Sequence, residues 1–490
     1  MNCSVKQSFC VALLVSIHFV VGADTSPAAD APRPNFLVIL CDDLGYGDLG
    51  CFGHPTIKTP HLDKLASQGV RLTDCYSAAP VCSSSRAGLL SGRTPSRVGV
   101  YDWIPGGHPM HLSRKEITVA TLLKNAGYAT AHVGKWHCNG KFNSPDQPQP
   151  GDHGFEHWFS TQNNASPTHH NPRNFVRNGK PVGKLEGYSC GIVADESIRW
   201  LKGRQDKNKP FFLFVCFHEP HEPIASPPDL VAQYPQAKKR GEALYYANVS
   251  NMDRAVGKLT AALDELKLTD NTLVMFTSDN GPETLNRYRG AWRSHGTPGP
   301  LRGMKLHLYE AGMRVPGIIR WPGHTKPGQV VSEPVCSLDI LPTFCQLAGA
   351  KPPADRTLDG ASFLPIFAGK PIDRTTPLYW HYFKSIGLPK AVMRVGDYMI
   401  LGHWDAARLA AGSSLRPGDM QLIKTAKLIE FELYNLRDDL GQENDLAKTE
   451  PERLAKLKAM LVEKYREVQK EGPTWQVDPR RKKKPAKKAR

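Results

Sequence analysis

The sequence predicts an α/β fold: a large mixed, mostly parallel sheet flanked by helices, with a smaller C-terminal α+β subdomain. Three observations predict it. Phe36-Leu-Val-Ile-Leu40 is a continuous apolar run, and similar runs recur at Phe211–Phe217 and Thr272–Thr277, with a weaker one at Gly317–Trp321. Runs without alternation are expected of strands buried on both faces, as in a parallel sheet. Helical stretches lie between them (Thr118–Ala126, Gly191–Lys202, Ala243–Leu266), and strand alternating with helix argues for α/β. Finally, polar clusters follow three strand ends directly: Asp42-Asp43, His218–His221 and Asp279-Asn280. Ligands of open α/β sheets bind beyond the carboxyl ends of the strands. One site assembled from distant segments is therefore expected.

Taken from the N-terminus, residues 1–23 read as a secretory signal. Lys6 supplies the positive charge, Phe9–Val21 is apolar apart from Ser16 and His18, and Val21-Gly22-Ala23 is a small-residue cleavage site. No later run reaches the roughly 20 apolar residues of a membrane span, so a secreted or periplasmic location is expected and no transmembrane segment. A Pro/Ala-rich linker (Ser26–Pro34) opens a catalytic domain expected over 24–375. From about Thr376 the pattern changes to short strand-like pieces (Leu378–Phe383, Ala391–Val395, Tyr398–Leu401, Phe431–Tyr434) and a helix from Pro451 with Leu454, Leu457 and Leu461 on one face. This is the α+β subdomain, 376–478. The tail, 479–490, should be disordered, because its like charges repel and it has nothing to bury.

Composition is ordinary for a globular protein, at 40% hydrophobic and 22% charged. Eight of the 16 net positive charges lie in the last eleven residues. Such a run contacts polyanions or merely solubilises, and both readings stay open; the modestly basic body suits an anionic substrate. Without Cys3, Cys10 and Cys82, eight of the 11 cysteines remain, a number that permits disulfides in an oxidising compartment. Cys41 and Cys216 sit in apolar runs and read equally well as core residues. No Cys-x-x-Cys pair exists, which argues against a zinc site of that type. Gly45-x-Gly47 lacks the third glycine of a dinucleotide loop. Three residues separate Cys82 from Arg86, too few for a thiol-phosphatase loop.

The chemistry-bearing residues have mutually consistent types. Adjacent acids at a buried strand end repel each other unless a cation offsets them, and carboxylates with an amide oxygen favour calcium or magnesium over zinc. Cys82-Ser-Ser-Ser-Arg86-Ala-Gly-Leu-Leu-Ser-Gly-Arg93 resembles the sulfatase signature. Gly134-Lys-Trp-His137, Pro220-His221-Glu-Pro223, the Leu301–Pro316 stretch and Glu432–Leu446 are similar to further segments of that family, in the same order, as is Asp152–Phe159 to its N-acetylgalactosamine-6-sulfatase-like members. The resemblance runs from about Pro34 to Gly472 and implies an alkaline-phosphatase-like fold and a sulfuric ester hydrolase.

It further implies that Cys82 is converted by a maturation enzyme to formylglycine. The hydrate would be the nucleophile, and its second hydroxyl would allow sulfate to leave. One Ca²⁺ would be held by Asp42, Asp43, Asp279, Asn280 and the modified residue 82. Arg86 would hold that residue and the metal ligands in place. Lys135 and Lys305 would bind sulfate, His137 would act as base on the nucleophile side, and His221 or Lys305 would protonate the leaving oxygen. The family usually has Pro or Ala where this chain has Ser84, which leaves the completeness of conversion open. It usually has Gly-Thr-Thr where this chain has Leu306-His307-Leu308, so His307 is either a substrate contact or a packing residue. Asn163–Arg173, rich in Asn and His, is a candidate rim. Asn164 and Asn248 head glycosylation sequons. A sulfated glycan is the expected substrate. Two other readings stay open here: a phosphate or phosphonate monoester hydrolase of the same superfamily, and a sulfated-glycan binding protein with Cys82 unmodified.

Overall fold

The computed structural model describes residues 1–2, 33–406, 409 and 414–477. The expected signal segment beyond residue 2 and the whole basic tail lie outside the described residues. Eleven strands form the main sheet: β1 (Asn35–Asp42), β2 (Val70–Tyr76), β3 (Ala129–Lys135), β4 (His157–Thr161), β5 (Val176–Arg177), β6 (Lys180–Pro181), β7 (Phe211–Pro220), β8 (Thr272–Ser278), β9 (Arg314–Arg320), β10 (Gln329–Val331) and β11 (Val335–Cys336). Their order is β10-β2-β9-β8-β1-β7-β3-β4-β5-β6, with β11 beside β2. The central run β8-β1-β7-β3-β4 is parallel. The run at Gly317–Trp321 belongs to β9, which lies antiparallel to both β2 and β8.

The helices are α1 (Pro60–Ser67), α2 (Cys82–Ser91), α3 (Val119–Asn125), α4 (Ser189–Gly203), α5 (Pro228–Val231), α6 (Arg240–Glu265), α7 (Glu310–Met313), α8 (Ile340–Ala348), α9 (Asp419–Thr425) and α10 (Pro451–Glu471). β1 shows why the apolar runs do not alternate. Phe36, Val38 and Leu40 enter a core shared with α2, α3 and α8, while Leu37, Ile39 and Cys41 enter another shared with α1, α4 and α6. Successive side chains of a strand point to opposite faces, and here both faces are covered.

A second sheet, β12 (Leu378–His381), β13 (Pro389–Val395), β14 (Tyr398–Trp404) and β15 (Leu428–Asn435), is antiparallel throughout. Leu457 and Leu461 of α10 are buried against it, and Leu454 partly so. A third apolar cluster joins this sheet to the site: Trp380, Tyr382, Val392 and Leu401 pack with Val81, Cys82 and Leu306.

Among the described residues all nine cysteines are free thiols, eight of them buried, so the disulfides that the count permitted are absent there. Cys41 and Cys216 are core residues. No helix of the described residues is long and apolar enough to cross a membrane.

Candidate active site

Four strand ends and one helix start converge. β1 delivers Asp42 and Asp43, β8 delivers Asp279 and Asn280, β3 delivers Lys135 and His137, and β7 delivers His221. Neighbouring parallel strands end on the same edge of the sheet, so their following residues meet there. The turn at each end is tight. Gly134 has φ +112°, and a Cβ there would lie 1.8 Å from the Cys216 carbonyl oxygen. A Cβ on Gly281 would lie 1.7 Å from that of Ala311. Asp43, His137 and Leu306 adopt positive φ (64°, 52° and 69°) despite carrying side chains. Such residues persist only where their surroundings over-determine them, and they concentrate at working sites.

α2 presents Cys82 as its first residue. Extended Val81 precedes it and accepts the first helical hydrogen bond from the Ser85 amide, at 3.0 Å. Every residue of the helix is buried, and Ser83 Oγ accepts from the Ile104 amide at 3.0 Å. Burial pushes the Cys82 thiol up to about 11, against the pull of Lys135 and Lys305. At neutral pH it is a poor nucleophile as a thiol.

Three acids and three cations interlock here, none more than 4% exposed. Arg86 donates from Nε to Asp279 Oδ2 at 2.9 Å and from Nη1 to the Lys135 carbonyl at 2.8 Å; Nη2 lies 2.7 Å from Asp279 Oδ2 and 3.9 Å from Asp42 Oδ1. Lys135 Nζ reaches Asp42 Oδ2 at 2.5 Å, and Lys305 Nζ reaches both oxygens of Asp43 at 2.5 and 2.7 Å. Burial would raise Asp42, but Lys135, His221, Arg86 and Lys305 together hold it well below the carboxylate range. Burial dominates at Asp279 and pushes it up to about 7 despite Arg86. His137 lies well below the ordinary imidazole value, first through burial and then through Lys135 and Arg86. Its Nε2 sits 3.2 Å from the Ile104 carbonyl, while Nδ1 is buried without a hydrogen-bond partner. A neutral ring donating from Nε2 keeps a lone pair on Nδ1.

The oxygen cluster fits a hard divalent cation. Asp42 Oδ1 and Asn280 Oδ1 are both buried without a hydrogen-bond partner. The Asn280 amide nitrogen donates to Asp43 Oδ1 at 2.7 Å and to the Gly281 carbonyl at 2.8 Å, which leaves its oxygen spare to ligate a metal. Asp279 Oδ1 lies 3.3 Å from the Asp43 amide. Asp42, Asp43 and His221 also bring donor atoms within 4.8 Å of one another. We favour the oxygen set, because carboxylates and an amide suit a hard ion better than imidazole does.

A cavity of about 370 Å³ opens onto these residues; Cys82, His137, His221 and Lys305 line it together. Asp42, Asp43, Arg86, Lys135, Asp279 and Asn280 are buried around it. The expected rim contributes only Asn163 and Asn164. His307 does not line the cavity; its Nδ1 faces the carbonyls of Met304 and Lys305, at 3.0 and 3.3 Å, and its neighbour Leu306 lines the wall instead. Of the two sequon asparagines, Asn248 is fully buried and not free to carry a glycan on the folded chain, while Asn164 is half-buried on the cavity wall. The sequence reading missed Val81, Trp103, Glu283, Arg287 and Tyr288, which complete the lining. Only the Arg-aromatic pairing in Arg287-Tyr288-Arg289-Gly-Ala-Trp292-Arg293 was there to signal the last two.

A mostly parallel sheet with both faces covered, carrying lysine and arginine over an oxygen cluster at its strand ends, is the build of a protein that handles anionic esters. Comparison with known proteins gives the family. The sulfatase model matches residues 34–350, and the C-terminal model of N-sulphoglucosamine sulphohydrolase matches 304–397. Arylsulfatase A of Homo sapiens is 37% identical over 378 residues, covering 70% of this chain and 69% of that protein. N-acetylgalactosamine-6-sulfatase of Homo sapiens is 36% identical, covering 72% and 69%. Among solved structures, Ps i-CgsB in complex with k-i-k-neocarrahexaose superposes with a TM-score of 0.75 at 27% identity, covering 90% of this chain and 94% of that one. The sulfatase PsFucS1 from Pseudoalteromonas sp. gives 0.71 at 26% identity, covering 91% and 92%. The chain belongs to the sulfatase family and is a sulfuric ester hydrolase.

Proposed function

We propose that this chain hydrolyses sulfate esters of carbohydrates, with Cys82 matured to formylglycine and one Ca²⁺ at the oxygen cluster. The observation that carries this is the placement of Cys82 at the start of a buried helix, opening into one cavity with His137, His221 and Lys305 beside Asp42, Asp43 and Asp279. The name of N-acetylgalactosamine-6-sulfatase supports a sugar substrate, as does the oligosaccharide in the Ps i-CgsB complex.

Asp42, Asp43, Asp279 and Asn280, with residue 82, would hold the calcium, which would supply positive charge to the nucleophile and to the sulfate oxygens. The formylglycine hydrate would supply a hydroxyl for attack on sulfur and a second one that lets sulfate depart. Lys305 on the cavity wall, with Lys135 buried against Asp42, would place fixed positive charge near the ester's non-bridging oxygens. Arg86 holds Asp279 and the Lys135 backbone in register. Neutral His137, with Nδ1 unpartnered, takes a proton on the nucleophile side. His221 and Lys305, on the cavity wall, are placed to give one to the leaving oxygen. A secreted or periplasmic location and polyanion contact through the basic tail belong to the same proposal, as do the boundaries 24–375 and 376–478.

Mass spectrometry of the Cys82 peptide tests it: formylglycine is about 18 Da lighter than cysteine and lies off the usual thiol oxidation ladder. An unmodified thiol throughout, in protein from the native host, would overturn it. So would faster turnover of aryl phosphate than of aryl sulfate.

A further inference from the structure

One device occurs twice, once on the cavity wall and once at the residue after His221. In each, a buried glutamate grips an arginine through Nε and Nη2, and that arginine lies over the ring of the adjacent aromatic residue. Glu283 holds Arg287 with both contacts at 2.6 Å, and the Arg287 guanidinium carbon is 5.1 Å from the Tyr288 ring centre. Glu222, the residue after His221, accepts from Arg293 Nε at 2.9 Å and also from its Nη2, and the Arg293 guanidinium carbon is 4.9 Å from the Trp292 ring centre. The connecting loop is fixed. The Asn286 amide donates to the Ala291 carbonyl at 3.0 Å, the Ala291 amide donates to that of Tyr288 at 2.9 Å, and Ala291 is fully buried.

Yet the rings stand in water. Tyr288 is 39% and Trp292 43% exposed, and among the described residues no other Phe, Tyr or Trp is exposed to that degree. Large apolar surface held out on a fixed scaffold marks a contact face. The contact it suits is specific. A ring face packs on the C–H face of a pyranose, while a guanidinium keeps donors free for sulfate or carboxylate after pairing with one carboxylate. Arg289 falls between the two aromatic residues in sequence and is exposed, and so are Lys238, Lys239 and Arg240. The last three lead into Gly241, where a Cβ would lie 2.6 Å from the Trp292 carbonyl oxygen.

Tyr288 and Arg287 line the cavity; Trp292 and Arg293 do not. We infer that Trp292, with Arg289 and Arg293, binds a second, anionic sugar of an oligosaccharide whose first unit occupies the cavity against Tyr288 and Arg287. The inference rests on the sulfated-carbohydrate reading and deepens it: the substrate is a charged chain of at least two sugars.

The test uses the mature enzyme, 4-nitrophenyl sulfate, and sulfated mono- and tetrasaccharides from chondroitin sulfate, heparin and carrageenan. For the best tetrasaccharide, Trp292→Ala should lower the ratio of its kcat/KM to that of nitrophenyl sulfate by tenfold or more, chiefly through KM. Arg289→Ala should lower it several-fold, and Trp292→Phe should restore it to within threefold. An unchanged ratio, or a wild type that prefers no tetrasaccharide to its monosaccharide, overturns the inference. Binding of the same tetrasaccharides to the Cys82→Ala protein separates it from its parent reading. If Trp292→Ala weakens binding tenfold while the wild type hydrolyses no sulfate ester, the sugar platform stands and the hydrolytic reading falls. If nitrophenyl sulfate is hydrolysed but neither binding nor the ratio responds, the platform falls alone. A wild type that dimerises in solution and becomes monomeric on Trp292→Ala would assign the rings to a protein contact instead.

Discussion

Replacing Arg86 with Met isolates the role of the buried guanidinium. The side chain is 1% exposed and spans Asp279, Asp42 and the Lys135 carbonyl. Methionine fills similar space but leaves the Asp279 carboxyl buried without its cation, to stay charged and unpaired or to take up a proton. Breaking a buried pair from one side costs about 3–5 kcal/mol. At roughly 2.1 cal/mol/K per residue, unfolding a body of about 440 residues carries close to 1 kcal/mol/K of entropy, so the melting temperature should fall by about 3–5 °C in metal-free buffer. Scanning calorimetry with EGTA present measures it. Asp279→Asn added to Arg86→Met removes the stranded carboxyl, so the double variant should recover part of the loss. Calcium should raise the melting temperature of Arg86→Met more than that of the wild type, because the ion would restore a positive charge that the variant's cluster has lost. The reasoning fails if Arg86→Met melts with the wild type, if the two substitutions are simply additive, or if calcium shifts both proteins equally.

Ser84 is the third residue of α2, where an amide has no helical acceptor behind it, so proline there breaks no intrahelical bond. Ser84→Pro should leave the melting temperature within about 2 °C and raise the formylglycine fraction in the Cys82 peptide; an unchanged or lower fraction would show that position 84 does not limit conversion. Asp253 of α6 caps α1 by accepting from the amides of His61 and Leu62, at 3.1 and 2.7 Å, and burial pushes it up to about 7. An acid raised on folding contributes stability that is complete below its unfolded value of about 3.9 and is lost as pH rises through its folded value. Asp253→Asn should therefore flatten the stability curve between about pH 4 and 7, and curves that stay parallel would contradict the shift.

The site was legible in the sequence because its parts announce themselves chemically. Buried parallel strands read as unbroken apolar runs, and each run ends abruptly in acids or histidines. What stayed hidden depends on partners far away in the chain. β2 carries Arg71, Thr73 and Asp74 and does not read as a buried strand. Asp74 is tolerated there because Arg314 and Arg394 reach it at 2.7 and 2.6 Å, from segments more than 200 residues on. The direction of β9 is invisible in a single strand's pattern. His307 looked available because spacing gives position but not rotamer, and its ring turns back on its own backbone. The rim loop Glu283–Arg293 has no periodicity at all. It is organised by Glu222 and by its own turns, and neither leaves a sequence trace.

The cluster of Trp380, Tyr382, Val392 and Leu401 with Val81, Cys82 and Leu306 has a practical corollary. Cutting the gene near codon 375 to obtain a minimal enzyme would strip the rear wall from the nucleophile's own helix and leave a greasy scar in its place. Engineering this protein for new esters should accordingly begin at the mouth, and the carboxy-terminal sheet should be kept as an inseparable half of the catalytic machine.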